Sequence, residues 1–118
     1  MVQNLTRQTA LTQQTEIAAT FWRRLRGLMF RRELPPGQAL LIYPCQAVHM
    51  MHMRFSLDVI FLDKAARVVG LEPELAPWRV SRRYPDAYYA LELPAGSIAA
   101  SGTALGDQLD LGLKTAVG

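Results

Sequence analysis

The sequence predicts an α+β, mostly β domain: a compact single-domain sheet or partial barrel of short strands with one amphipathic helix at about residues 20–31. Three observations carry that expectation. Half of the 118 residues are hydrophobic and 19% are charged, which suits one core at a length typical of a single domain. Most apolar residues come in short runs closed by Pro, Gly or Asp. Only one segment repeats its apolar residues at helical spacing, too few helices for a doubly wound α/β fold.

From the N-terminus, Val2, Leu5, Leu11 and Ile17 stand among Thr and Gln, a β-tolerant composition that reads as a hairpin or two short strands. In residues 20–31, steps of 100° gather Phe21, Trp22, Leu25, Leu28 and Met29 on one arc, with Arg23, Arg24, Arg26 and Arg31 opposite. Thr20 suits an N-cap and Pro35-Pro36-Gly37 ends any helical run. The run Ala39–Tyr43, ended by Pro44, suits a buried strand. Residues 57–71 read as a hairpin with Asp63-Lys64-Ala65-Ala66 at its turn. Tyr88–Leu93 and Gln108–Leu111 are two more strands, and the Pro, Gly, Ala and Ser between them reads as turn chemistry. The expected unit is a single domain over 1–118, with 112–118 as a loose C-terminal tail.

Composition removes several function classes. A single cysteine, Cys45, excludes an intramolecular disulfide and a multi-cysteine zinc site within one chain. No P-loop, dinucleotide fingerprint or HExxH motif occurs. The longest apolar stretch is too short for a membrane helix and the N-terminus has no signal-peptide core, so the expected location is cytoplasmic. The net charge of +3 is unevenly spread. Residues 1–57 hold seven bases against two acids, whereas residues 58–118 hold six against eight. The basic face Arg23, Arg24, Arg26, Arg31 and Arg32 suits phosphate or an acidic partner, although such faces are commonly just solvated. Pro77-Trp78-Arg79 with Arg82-Arg83-Tyr84 interleaves aromatics and arginines, as single-stranded nucleic-acid grooves do.

The chemistry-bearing stretch is 45–58, which gathers the cysteine, both histidines and three of the five methionines. As soft-metal donors, Cys45, His49 and His52 would share a face on a helix, and Cys45, His49, Met51 and Met53 a side on a strand, but neither set matches a recognised metal motif. Cys45 and His49, with Asp58 orienting the imidazole, form a candidate nucleophilic set. Packing explains each residue singly, because methionine and free cysteine fill cores.

Several blocks together resemble one known family. They are Gly27-Leu28-Met29-Phe30-Arg31, Pro44-Cys45 with Val48-His49, Met53-Arg54-Phe55 with Leu57-Asp58-Val59, Pro77-Trp78-Arg79, Leu91-Glu92-Leu93-Pro94-Ala95-Gly96 and Gly106-Asp107. In this order, over roughly residues 10–111, the chain is similar to the bacterial and archaeal domain of unknown function 192. The resemblance implies a small β-rich fold with a short helix carrying the Gly-Leu-Met block, and it implies no activity. Cys45, His49, Met53 and Asp58 match the family pattern; Met50 replaces its usual Thr, and Met51 and His52 are outside it. The expected function is therefore a non-enzymatic binding or accessory module with a cleft near His49, Asp58 and Trp78, where Met53 and Arg79 are further ligand contacts. The expected partner is a small molecule or an acidic protein, without a cofactor. A small Cys45/His49-dependent enzyme, a soft-metal ion, and polyanion or nucleic-acid binding through Arg23–Arg32 are the competing expectations.

Overall fold

The structure is a computed structural model that describes residues 1–18, 34, 36–51 and 53–113. Eight strands occur among them: β1 Val2–Asn4, β2 Thr9–Thr12, β3 Gln14–Ala18, β4 Gln38–Ile42, β5 Leu57–Leu62, β6 Val68–Leu75, β7 Tyr89–Pro94 and β8 Leu109–Asp110. One short helix, α1, spans Ser97–Ser101. The strands form two open sheets: a five-stranded sheet in the order β3-β4-β7-β5-β6 and a three-stranded sheet in the order β2-β1-β8. All pairings are antiparallel except β3 with β4. Parallel neighbours require a long crossover, here residues 19–37. The helix expected at 20–31 and its arginine face fall in that stretch, outside the described residues.

The layering follows from side-chain alternation. Leu57, Val59 and Phe61 of β5, Leu40 and Ile42 of β4, and Ala90 of β7 enter one core layer with Cys45, Val48, Met50 and Met53. Ile60, Leu62, Leu41, Leu91 and Leu93 enter the opposite layer, covered by Val2 of β1, Leu109 of β8 and Ile98 of α1. Interior β5, between β7 and β6, is thus buried along its whole length, which is why Leu57–Leu62 reads as a nearly continuous apolar run.

Two sequence expectations change. The segment 2–17 holds three strands: a β1–β2 hairpin, then β3, which leaves for the larger sheet. The segment read as turns holds α1, whose ends are set by Gly96 at φ 94° and Gly102 at φ 69°. Five residues are too few for a periodic signal. The hairpin at 57–71 is present but β6 runs on to Leu75, with a bulge at Pro73-Glu74 where the register slips between Leu57↔Leu75 and Val59↔Glu72. Of the expected tail, Gly112 donates its N–H to Asp110 Oδ1 and Leu113 packs against the second core layer; 114–118 lie outside the described residues.

A buried polar cluster ties β1 to the segment before β8. Asp107 Oδ2 accepts from Asn4 Nδ2 (3.0 Å), Arg7 Nε (3.0 Å) and the Ala104 N–H (3.0 Å). The Arg7 guanidinium, helped by the Asn4 amide, holds the Asp107 carboxyl at about 2 against burial that works the other way. A carboxyl with a depressed folded pKa stabilises above its unfolded value of 3.8, and that contribution disappears as pH falls towards about 2. Urea unfolding of wild type and Asp107→Asn should therefore differ most above about pH 4 and converge between about pH 4 and pH 2. A gap that stays constant over that range would contradict this role.

Candidate functional site

The stretch 45–50 does not form a helix or a regular strand. It is fastened to residues 78–88 by main-chain bonds: Cys45 N to Tyr88 O, Tyr84 N to Gln46 O, Ser81 N to Val48 O, Met50 N to Arg79 O and Trp78 N to Met50 O, all 2.7–2.9 Å. Ser81 Oγ accepts the Val48 N–H as well (2.9 Å). His49 lies opposite Val80 in an antiparallel bridge. In such a ladder facing residues share a side and neighbours alternate. Val48, Met50 and Ser81 accordingly point inward and are buried, while Met51 (43% exposed) and Val80 (64%) point outward. His49 is half-buried between them.

Trp78 is 58% exposed and sits at φ 67°, in the left-handed region. A bulky non-glycine residue there is strained by on the order of 1–3 kcal/mol. The ladder imposes the strain, because the Trp78 N–H and the Arg79 carbonyl both bond Met50. Arg54, Arg79, Arg82 and Arg83 are exposed around this surface. Arg83 is oriented by Gln46 Oε1, at 3.0 Å from Nη2 and 3.3 Å from Nε. Below them, Tyr84 stacks on Phe61 (4.5 Å between centroids) and lies so close to Gly70 that a methyl there would strike its ring. Burial, then the hydrogen bond its hydroxyl donates to Glu72 Oε1 (2.9 Å), pushes the Tyr84 phenol up to about 12.

The structure thus brings His49, Trp78 and Arg79 together and separates the other named residues. Asp58 lies on the far face of the larger sheet. It is fully buried, its Oδ1 accepting from Glu74 N (2.8 Å) and Gly96 N (3.2 Å) and its Oδ2 from Ile98 N (2.7 Å). It pairs with Leu93, and shares the side of Ile60 and Leu62 rather than that of Val59 and Phe61. The β-sheet therefore stands between Asp58 and the layer holding the 45–53 segment, so Asp58 does not orient the His49 imidazole. Met53 is buried in that layer. Cys45 is 6% exposed, in the same layer, and its thiol donates to Ala47 O at 3.1 Å. His52 lies outside the described residues. Among the described residues no three His, Cys, Asp or Glu side chains converge as a metal site.

Sequence reasoning missed Val80 and Met51, whose exposure follows from the ladder's register. It also gave no role to Glu92, which is buried in β7 opposite both Leu40 and Val59. Its position between Leu91 and Leu93 marks a strand, while the side it faces depends on pairing. A second concavity, of about 650 Å³, opens among Gln46, Lys64, Pro85, Asp86 and Tyr88, with Lys64 Nζ 5.3 Å from the Tyr88 ring centroid.

Two measurements check these assignments. Asp58→Ala takes the acceptor from the buried Ile98 N–H and from the part-buried Glu74 and Gly96 N–H groups and empties a buried site, so urea unfolding at pH 7 should show a loss of about 3 kcal/mol; a loss below about 1 kcal/mol would show that the carboxylate is dispensable. Native Cys45 should react with iodoacetamide far more slowly than the unfolded chain at pH 8, as enclosed thiols do. Native labelling as fast as unfolded would instead favour a reactive thiol.

Comparison with known proteins gives a consistent group. The model of the family described as uncharacterized ACR, domain of unknown function 192, matches residues 2–111. A UPF0127 protein of Thermococcus sibiricus is 36% identical over 116 residues, covering 93% of this chain and 73% of the relative. A UPF0127 protein of Pyrococcus furiosus is 34% identical over 112 residues, covering 91% and 94%. Among solved structures, a protein of unknown function from Novosphingobium aromaticivorans superposes with a TM-score of 0.73 at 25% identity, covering 81% of this chain and 73% of that one. A protein from Sinorhizobium meliloti, described as a candidate transcription regulator, superposes at 0.70 with 26% identity, covering 81% and 79%.

Proposed function

The chain belongs to the family of domain of unknown function 192, and because that family supplies no activity, we propose from its surface chemistry that it is a non-enzymatic binding or accessory module. Its contact surface is the outward side of the His49–Trp78 ladder, and its partner is anionic. Asp58, across the sheet, has no part in it. The description of the Sinorhizobium neighbour as a candidate transcription regulator is compatible with an accessory role.

One observation carries this reading. Trp78 is held at positive φ with more than half of its surface exposed, so a large aromatic side chain meets solvent while its backbone bears strain. Strain of this kind collects where a side chain is positioned for a contact. The surrounding chemistry agrees: Met51 and Val80 give apolar area beside the ring, and residues 45–57 and 76–85 contain four arginines and no acid.

Replacement by glycine separates a folding role from a binding role. Glycine accepts φ 67° without strain, so Trp78→Gly should keep its stability within about 1 kcal/mol of wild type. A tryptophan that served packing would cost about 3–5 kcal/mol on removal. Binding of a fluorescent anionic probe set, an acidic peptide and a heparin fragment among them, should drop in Trp78→Gly at unchanged thermal midpoint. Undiminished binding, or a stability loss of packing size, would overturn the reading.

A further inference from the structure

Resting on that reading, we propose that the anionic partner is single-stranded nucleic acid, with an unpaired base stacked on Trp78 and the phosphates held by the arginines beside it. The apolar part of the surface is small. Three exposed side chains, Met51, Trp78 and Val80, make up its outward face among the described residues. A stable protein interface needs about 800 Å² per partner, far more than three side chains supply. One or two bases need no more than that, since a base stacks on a single aromatic ring.

The charges fit a phosphodiester chain better than a folded acidic partner. Arg54, Arg79, Arg82 and Arg83 are exposed, and none pairs with a carboxylate among the described residues, where the ion pair is Arg7 with Asp107. Glu72, the nearest acid of the neighbouring strand, is occupied by the Arg82 N–H (3.0 Å) and the Tyr84 hydroxyl (2.9 Å). Arg79 and Arg82 are exposed on either side of the Val80–Ser81 pair. At about 3.3 Å per extended residue, Trp78 to Arg82 spans at most about 13 Å, the reach of a short run of nucleotides. Arg83 is preset by the Gln46 amide oxygen, which takes two of its five N–H groups and leaves three for a phosphate oxygen. The ladder's main-chain groups bond each other, so recognition through ring faces and phosphates implies little sequence preference.

The test is fluorescence anisotropy of a labelled oligothymidylate of about a dozen nucleotides with the whole chain. Arms with a duplex of equal length and with a labelled acidic peptide run in parallel. Wild type should bind the single strand more tightly than the duplex, and the slope of log K against log salt should lie near −2 to −3 for three or four phosphates. Trp78→Gly should weaken binding by about 5- to 100-fold and Trp78→Phe much less, since a ring remains. Arg79→Ala with Arg82→Ala should flatten the salt slope by about 1.4, whereas Lys64→Ala, on another part of the surface, should leave it unchanged. No single-strand binding at about 100 µM protein in low salt, or equal binding by Trp78→Gly, overturns the nucleic-acid inference. If the peptide binds through Trp78 while the oligonucleotide does not, the binding-module reading stands and this inference falls. If neither binds, both fall.

Discussion

One buried carboxylate holds together parts of the chain that sequence distance keeps apart. Asp58 projects from the interior strand β5 and accepts the N–H groups of Glu74, Gly96 and Ile98. The first belongs to the β6 bulge, the second to the turn after β7, and the third to the first turn of α1. Gly96, at the N-cap position, has no side chain to close that helix, so Asp58 closes it from across the fold. A helix of five residues has almost no stability of its own, and a bulge at a proline removes ladder bonds. Both exist because a buried acceptor satisfies amides that would otherwise be stranded.

The same strand divides the molecule chemically. On one side of the larger sheet, the three-stranded sheet and α1 cover a core of Leu, Ile and Val. On the other, the described segments that cover it, 45–51 and 53–55, have no regular secondary structure and bring Cys45, Val48, Met50 and Met53. An irregular cover requires side chains that fill uneven gaps, which methionine does with three rotatable bonds. Its backbone amides need partners too, and the bonds between 45–50 and 78–88 provide them. That ladder leaves His49, Met51, Trp78 and Val80 as its outward row. That outward row is thus a by-product of how the layer holding Cys45 and Met50 is sealed. The strain at Trp78 is borne by bonds that also secure Met50 in the core.

Much of the fold is legible in the chain. The run Leu57–Leu62 announces a doubly covered strand, the return at Arg67–Leu71 its hairpin partner, and Ala39–Tyr43 another buried strand. The site is less so. His49, Trp78 and Arg79 can be named from family-like blocks, and the structure does set them side by side. Asp58 belongs to the same block as His49 but faces the other way, because strand alternation and the sheet between them outweigh nine residues of sequence proximity. Glu92 gives the reverse lesson: its burial depends on β4 and β5 lying on either side, which the local pattern Leu-Glu-Leu does not reveal.

Local pattern therefore settles what depends on neighbours in the chain: the strand-rich class, the positions of most strands, the single thiol and the excess of arginine in the first half. Tertiary structure alone decides what depends on pairing. That includes the splitting of the strands into two sheets, the helix that Asp58 caps, and which of the chemistry-bearing residues of 45–58 and 77–83 meet. The physical reason is that hydrogen-bond partners and sheet faces are set by register between segments. A shift of one residue in register reverses every side chain, and no single segment carries that information.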